Sequence, residues 1–123
     1  MPEHKLISLC LETSDRIVVN VTLLKEASHY KMRTEYLKED DKIKETNDEV
    51  ARNLVYQLFG NLEIADFEGL NDLEANSIGS LKVYYGSHDY LERHFDQETL
   101  KELKEVIISL LEFVDNSIDK QMF

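Results

Sequence analysis

The residues best suited to do chemistry in this chain are three neighbours, Ser87, His88 and Asp89, followed closely by His94. A hydroxyl, an imidazole and a carboxylate form a nucleophilic triad only when separate elements bring them together. Three consecutive residues point in different directions and cannot do this alone. On a helix, a spacing of six residues turns His88 and His94 about 240° apart, so they cannot share a metal. We interpret the stretch as a capped turn with surface histidines, and keep His88, Asp89 and His94 as an alternative ligand site.

Motifs that bind a metal, a nucleotide or a cofactor are not found. The chain has no Walker loop, glycine-rich dinucleotide turn, paired CxxC or HExxH. The acidic stretch that begins at Asp66 fails the EF-hand pattern, because Leu70 stands at its fifth position and the sixth-position glycine is missing. Cys10 lies among apolar residues and is interpreted as a small buried side chain rather than a catalytic thiol. We expect no metal and no cofactor, and the sequence leans against an enzyme without excluding one.

An acidic segment followed by tyrosines is the main functional signal. No Lys or Arg occurs between Asn53 and Leu81, in a chain with 14 basic residues. Tyrosine is a common interface anchor because it is large, rigid and amphipathic. The predicted partner-binding residues are Glu63, Asp66, Glu68, Asp72, Glu74, Tyr84, Tyr85 and Tyr90. The alternative is a solvated region whose charges only keep the protein soluble.

The formal net charge of −11 limits the classes of partner. Residues 1–52 carry nine Lys and Arg against eleven Asp and Glu, whereas residues 53–123 carry five against fourteen. Such a chain repels phosphate backbones and acidic membrane surfaces, so direct binding to nucleic acid or to a membrane is not expected. A basic protein partner is the expectation that this charge permits.

The compartment is inferred from cysteine usage and apolar runs. A single cysteine, Cys10, excludes a disulfide within the chain and is typical of a reducing environment. The N-terminal residues lack the long apolar core of a signal peptide, and no apolar run approaches the ~20 residues that span a bilayer. We expect a cytoplasmic protein.

The first half of the chain predicts strands and then a helix. Residues 5–12 and 17–24 read as a hairpin, and Tyr30–Leu37 reads as a third strand with one solvated face. Residues 38–45 read as a mixed-charge loop. A helix capped by Thr46 or Asn47 is predicted to follow and to end at Gly60-Asn61.

The segment from residue 61 to residue 95 is ambiguous. Residues 62–67 alternate like a short strand, and a second hairpin with Gly79-Ser80 as its loop is predicted, although a short helix over residues 70–76 fits almost as well. Residues 87–95 read as one or two helical turns that lead into the last element.

The last element, Asp96–Lys120, predicts a long amphipathic helix. Asp96 can accept a backbone hydrogen bond as N-cap, and an apolar stripe follows at helical spacing: Leu100, Leu103, Val106, Ile107, Leu110, Leu111, Val114 and Ile118. Ile108 lies on the opposite, polar side of the helix, and Phe113 lies at the edge of the stripe. These two residues are a candidate contact with a second chain, and a homodimer is kept as a hypothesis.

These patterns predict one α+β domain spanning residues 1–123. Its antiparallel sheet combines the N-terminal hairpin, the third strand and a later hairpin, packed by a central helix and the long C-terminal helix. The leading functional hypothesis is a small acidic binding or inhibitor protein that docks on a basic protein surface. Immunity proteins against toxins and phage proteins that block host defences offer an analogy in size and charge. The alternatives are a small-ligand binder or enzyme with a pocket between sheet and helices, and a structural homo-oligomer.

Overall fold

The computed structural model describes residues 4–12, 16–64, 77–85, 89–96, 98–99, 101 and 110. Within this part of the chain the elements are β1 (His4–Glu12), β2 (Ile17–Glu26), β3 (His29–Lys38), β4 (Asp41–Val50), α1 (Arg52–Ile64), β5 (Gly79–Tyr85) and β6 (Asp89–Phe95). The six strands form one sheet in the order β4-β3-β2-β1-β5-β6, and every neighbouring pair is antiparallel. Of the helices found in the described ranges, none combines the length and apolarity needed to cross a membrane.

The predicted N-terminal hairpin and the third strand are confirmed. β1 pairs with β2 from His4↔Lys25 to Glu12↔Val18, with a bulge near Leu6. β2 pairs with β3 from Ile17↔Lys38 to Glu26↔His29 without interruption. The β-branched run in β2 and the period-2 alternation in β3 place apolar side chains on one face of the sheet, which is the reason these segments form strands.

The hydrophobic core lies between one face of the sheet and α1. Alternate residues of the strands point to this face, and the helix contributes its own apolar side. The buried residues of this cluster are Ile7, Leu9, Leu11, Val19, Val21, Leu23, Met32, Tyr36, Val55, Leu58, Leu62, Leu81, Val83, Phe95 and Leu110. The opposite face of the sheet carries polar side chains such as Lys31 and Lys82, together with the buried Leu24, and we refer to it as the polar face.

The predicted α+β fold, a sheet packed by a central helix and a long C-terminal helix, is wrong. The elements of the described residues are an antiparallel sheet of six strands and the helix α1, so this part of the chain is mostly sheet. Two segments cause the difference: residues 41–50 form β4 instead of a loop and a helix start, and residues 89–95 form β6 instead of helical turns.

β4 forms because the chain reverses tightly after β3. Glu39 and Asp40 both have positive φ, 53° and 68°, which is the backbone pattern of a two-residue hairpin turn. The strand then pairs with β3 as far as Tyr30↔Val50, and this ladder outweighs the local capping preference of Thr46 and Asn47.

Helix α1 is displaced relative to its prediction. It begins at Arg52 rather than after Thr46 or Asn47, and it continues through Gly60 to Ile64 rather than ending at Gly60-Asn61. The predicted short strand over residues 62–67 is therefore wrong at its beginning, and its remainder lies outside the described residues. The proposed short helix over residues 70–76 also lies outside them.

β5 and β6 replace the predicted Gly79-Ser80 hairpin loop. Both residues belong to β5, where Gly79 pairs with Leu11 of β1 on one side and with Phe95 of β6 on the other. A Cβ atom at Gly79 would meet the Cys10 carbonyl oxygen and would lie 2.9 Å from Leu11 Cδ2 and 3.2 Å from Phe95 Cε2. Glycine therefore serves close strand packing here, not a turn.

Most of the predicted C-terminal helix, Asp96–Lys120, lies outside the described residues, together with Ile108 and Phe113. The predicted N-cap is confirmed, since Asp96 Oδ1 accepts a hydrogen bond of 2.8 Å from the Thr99 backbone N–H. Glu98, Thr99, Lys101 and Leu110 have helical backbone conformation, and Leu110 is fully buried in the core cluster.

Candidate functional site

A pair of tyrosines marks the β5–β6 end of the polar face, which we call the tyrosine patch (Lys82, Tyr84, Tyr90 and Glu92). Tyr84 and Tyr90 are cross-strand partners whose ring centroids lie 5.6 Å apart at an angle of 52°. The Tyr90 side chain is 52% exposed, and Lys82 Nζ lies 5.0 Å from the centroid of its ring. An exposed aromatic held by a neighbouring ring and a cation is a suitable contact for another protein.

The charges of the tyrosine patch largely cancel. Lys82 Nζ lies 3.7 Å from Glu92 Oε2, and His94 Nε2 lies 3.9 Å from Glu92 Oε1. The cation and the carboxylate are cross-strand partners on the polar face, as their register requires. This patch offers aromatic contact area, but it does not itself present a surface of one charge.

The fold separates the residues of the predicted partner-binding face. Glu63 is exposed on α1, which packs on the core side of the sheet, whereas Tyr84 and Tyr90 lie on the polar face. Tyr85 belongs to β5. The four remaining carboxylates, Asp66, Glu68, Asp72 and Glu74, lie outside the described residues.

The alternative ligand site is not brought together by the described residues. His88 lies outside them, and both Asp89 and His94 belong to β6. Five residues along a strand correspond to roughly 17 Å, and the odd spacing places the two residues on opposite faces of the sheet. Asp89 pairs with Tyr85 and His94 pairs with Ser80, so the two residues have different cross-strand neighbours.

Cys10 lies on the polar face beside Ser80, its cross-strand partner. Burial raises the pKa of the Cys10 thiol; nearby Lys82 lowers it partly, and Glu12 and Glu92 raise it further. A thiol with a raised pKa is protonated at neutral pH and is a poor nucleophile. The geometry thus agrees with a packing side chain rather than a catalytic one.

A surface cleft of about 490 Å³ lies at the end of the sheet where the β2–β3 turn meets β4. We call it the acidic cleft, and its lining residues are Glu26, Ala27, His29, Tyr30, Lys31, Asn47, Asp48 and Glu49. Ala27 has a positive φ of 56°, which lets the chain reverse between β2 and β3 within two residues. The turn brings Glu26 opposite His29, and β4 adds its acidic end beside them.

The cleft holds more negative charge than positive charge. Lys31 Nζ lies 3.2 Å from Glu26 Oε2, and His29 Nδ1 lies 3.3 Å from Glu49 Oε1. Asp48 is exposed and forms no ion pair with any other described residue. Three carboxylates and one lysine therefore line the cleft, with Asp48, the cross-strand partner of Met32, on the opposite face of the sheet from Glu49 and Lys31.

Tyr30 supplies the aromatic wall of the acidic cleft. Lys25 Nζ lies 5.7 Å from the centroid of its ring, so this ring already receives a cation within the chain. Among the described residues, no three His, Cys, Asp or Glu side chains are placed to hold a metal ion together.

Sequence reasoning misses the acidic cleft because it takes β4 for the start of a helix. It places Asp48 and Glu49 in the first helical turn, where carboxylates are favoured by the helix dipole. In the structure Glu49 pairs with Lys31 and Asp48 with Met32. One signal in the sequence could have located the site. Ala27-Ser28 is a two-residue turn between two segments with the residue pattern of strands, and such a turn places the two strands side by side at that end of the sheet.

A network of exposed charges ties β4 to β3 next to the cleft. Lys42 Nζ lies 3.1 Å from Glu35 Oε2 and 2.8 Å from Glu45 Oε1, and Arg33 Nε donates to Asn47 Oδ1 at 3.0 Å. Hydrogen bonds from Lys42 and then Asn47 lower the pKa of Glu45, and hydrogen bonds to Glu45 and then Glu35 raise the pKa of Lys42. Because these groups are solvated, their contribution to stability is small.

Comparison with known proteins gives no significant match, whether with family models, with curated sequences or with solved structures.

Proposed function

We propose that this chain is a small acidic binding protein that docks on a basic segment of a protein partner. The observation that carries the proposal is the acidic cleft, where Glu26, Asp48 and Glu49 outnumber Lys31 around a space of about 490 Å³. The chain's net charge of −11 acts in the same direction by attracting a basic partner over a longer distance. A docked segment would block the basic surface to which it belongs.

A lysine or arginine side chain is the occupant that fits the cleft chemically. Carboxylates accept charge-assisted hydrogen bonds from guanidinium and ammonium groups, and arginine can engage a carboxylate with two parallel bonds. Glu26 and Glu49 lie on the same face of the sheet as Lys31, and they are the two carboxylates that the test alters.

The tyrosine patch is the second contact that this proposal uses. Tyr90 is exposed and supported by Tyr84, which lowers the entropy lost when it packs against a partner.

We place the protein in the cytoplasm, supported by a lone cysteine whose thiol is half-buried. The leading hypothesis remains binding without catalysis.

The test is titration of the full chain with a synthetic hexa-arginine peptide, followed by amide chemical shifts and by fluorescence anisotropy. We expect shift changes concentrated at residues 26–31 and 47–49, and an affinity that falls as salt is raised because exposed charge pairs are screened. The double variant Glu26→Gln/Glu49→Gln should weaken binding by roughly tenfold.

The matched control is the double variant Glu12→Gln/Glu98→Gln, which removes the same two charges at exposed positions outside the cleft. It should leave the affinity within about twofold of the unmodified protein. Equal weakening by the two double variants would show that diffuse charge alone attracts the peptide, and the cleft would lose its assigned role.

A further inference from the structure

Strand β4 is an open edge of the sheet. Among the described strands it pairs only with β3, over ten residues from Asp41 to Val50. Eight of these ten residues are exposed, and no backbone hydrogen bond to another described segment covers the outer side of the strand. An edge of this length presents a row of N–H and C=O groups that can pair with another strand.

Between Asp41 at its start and Val50 at its end, β4 carries its lysines first and most of its carboxylates later, with Glu45 between them. Lys42 and Lys44 lie near its beginning, and Asp48 and Glu49 lie near its end. An antiparallel partner with the same sequence runs in the opposite direction, so its acidic end meets the basic end of the first strand. The charges that discourage most foreign strands from pairing therefore favour a second copy of this chain.

The register of such a pair can be derived from the alternation of side chains. A two-fold axis perpendicular to the sheet keeps each face of the sheet on the same side. Residues that lie opposite each other must therefore point to the same face, and this requires one residue on the axis to lie opposite its own copy. An axis at Lys44, Glu45 or Asp48 would set that charged residue against its own copy. An axis at Asn47 would set Glu45 against Glu49 of the second copy, and like charges placed directly opposite are unfavourable.

An axis at Thr46 is the register that avoids these conflicts. It sets Lys44 against Asp48 of the second copy, twice by symmetry, and it places Glu45 against Asn47. Within one chain Asn47 Nδ2 already donates to Glu45 Oε2 at 3.0 Å, so these two side chains are compatible neighbours. The segment from Lys44 to Asp48 also lies beyond the bulge near Ile43, where the β3–β4 ladder is regular.

We propose that β4 pairs with β4 of a second copy of this chain, antiparallel and centred on Thr46, so that two sheets join into one. The pairing adds a row of backbone hydrogen bonds and two symmetric Lys44–Asp48 ion pairs. This surface is distinct from Ile108 and Phe113, the contact predicted from the sequence. The two proposals share Asp48, which also lines the acidic cleft, but the peptide test alters Glu26 and Glu49 and the dimer test alters Lys44 and Asp48, so each can fail separately.

The first measurement is the mass in solution by light scattering across a concentration series. A single chain is 14.4 kDa, and we expect the mass to rise toward twice that value with concentration. Lys44→Glu and Asp48→Lys each place like charges opposite each other twice, and each should weaken the dimer by about tenfold or more. The double variant Lys44→Glu/Asp48→Lys restores opposite charges and should recover most of the lost affinity.

The second measurement locates the axis. In a Cys10→Ser background, Thr46→Cys should form a disulfide between copies on oxidation, because facing Cβ atoms lie about 4.5–5.5 Å apart. Lys42→Cys is the matched control, since its two copies would be eight residues out of register, roughly 27 Å apart. Three results would each overturn the proposal. The first is a monomeric mass up to about 1 mM protein. The others are a dimer whose affinity neither single charge reversal changes, and equal cross-linking at positions 46 and 42.

Discussion

The two edges of the sheet are built in opposite ways. At the β6 edge, Phe95 is 1% exposed and lies in the core cluster, and its cross-strand partner Gly79 leaves the space that the ring occupies. At the β4 edge almost every side chain is exposed, and even the apolar Ile43 is 53% exposed. The β6 edge therefore enters the core at its last residue, whereas the β4 edge is solvated along almost its whole length.

The two edges differ in how much apolar surface area each removes from water on folding. Apolar area removed from water contributes about 25 cal/mol per Å², so the β6 edge gains stability from Phe95 and Leu91. Exposed ion pairs such as Lys42–Glu45 contribute little, because water and salt screen them. The weakly anchored edge also carries the acidic cleft and the proposed dimer surface, so contacts with other molecules concentrate where the fold itself depends least on the side chains.

The largest expected effect compares one apolar residue at each edge. Phe95→Ala should lower the free energy of unfolding by about 3–5 kcal/mol, because it leaves a cavity in the core. Ile43→Ala should change it by less than about 0.5 kcal/mol, since the side chain is already solvated. Urea denaturation of both variants measures the two values, and comparable losses would show that β4 is anchored as firmly as β6.

A second comparison concerns the space around the glycines. Gly79→Ala should destabilise the protein by about 1–3 kcal/mol, because the added methyl group meets the Cys10 carbonyl and the Leu11 side chain. Gly60→Ala is the matched control: apart from its chain neighbours and the helix backbone, no atom of the described residues lies within 4 Å of the place that its methyl group would take in α1, and the helix should gain about 0.5–1 kcal/mol. Changes of the same sign in thermal unfolding would contradict the close packing of β1, β5 and β6.

The turn that creates β4 offers a smaller test. Glu39 has a φ of 53°, a conformation that costs a non-glycine residue about 1 kcal/mol. Glu39→Gly should therefore stabilise the protein by up to about 1 kcal/mol. Lys38→Gly, one residue earlier at the end of β3, should destabilise it by a similar amount. The two midpoints of chemical denaturation measure these opposite effects, and a loss of stability in both variants would argue against the tight turn.

The smallest effects concern two solvated carboxyls, one on β4 and one directly after β6. A hydrogen bond from Lys42 lowers the pKa of Glu45, and hydrogen bonds from Thr99 lower the pKa of Asp96. Because each folded pKa lies below its unfolded value, the stabilisation is present above the unfolded pKa and is lost as pH falls through the folded pKa.

Glu45→Gln and Asp96→Asn keep hydrogen-bonding oxygens but remove the titration. Their stability relative to the unmodified protein should change only as the pH falls below about 4.5, and NMR titration of the two carboxyls should show depressed pKa values. A stability difference that is constant with pH would show that neither carboxyl is held by the contacts described.

The local parts of the fold are predictable because their signals are local. Residues 17–24 are β-branched, and Tyr30–Leu37 alternates, so β2 and β3 are recognisable without knowledge of their neighbours. The Asp96 cap is recognisable for the same reason, since its partner Thr99 is three residues away. The candidate site is less accessible: the sequence singles out Tyr84 and Tyr90, but not the side of the sheet on which they lie.

Local patterns in the sequence specify the three N-terminal strands, a core helix and the acidic character of the chain. The edge strands over residues 41–50 and 89–95, and the cleft lined by Glu26 and Asp48, depend on tertiary contacts. The physical reason is that an edge strand with few buried side chains has a weak pattern of its own, and it becomes a strand by pairing with a neighbour. For β4 this neighbour is β3, and the acidic cleft forms only when these two strands have paired.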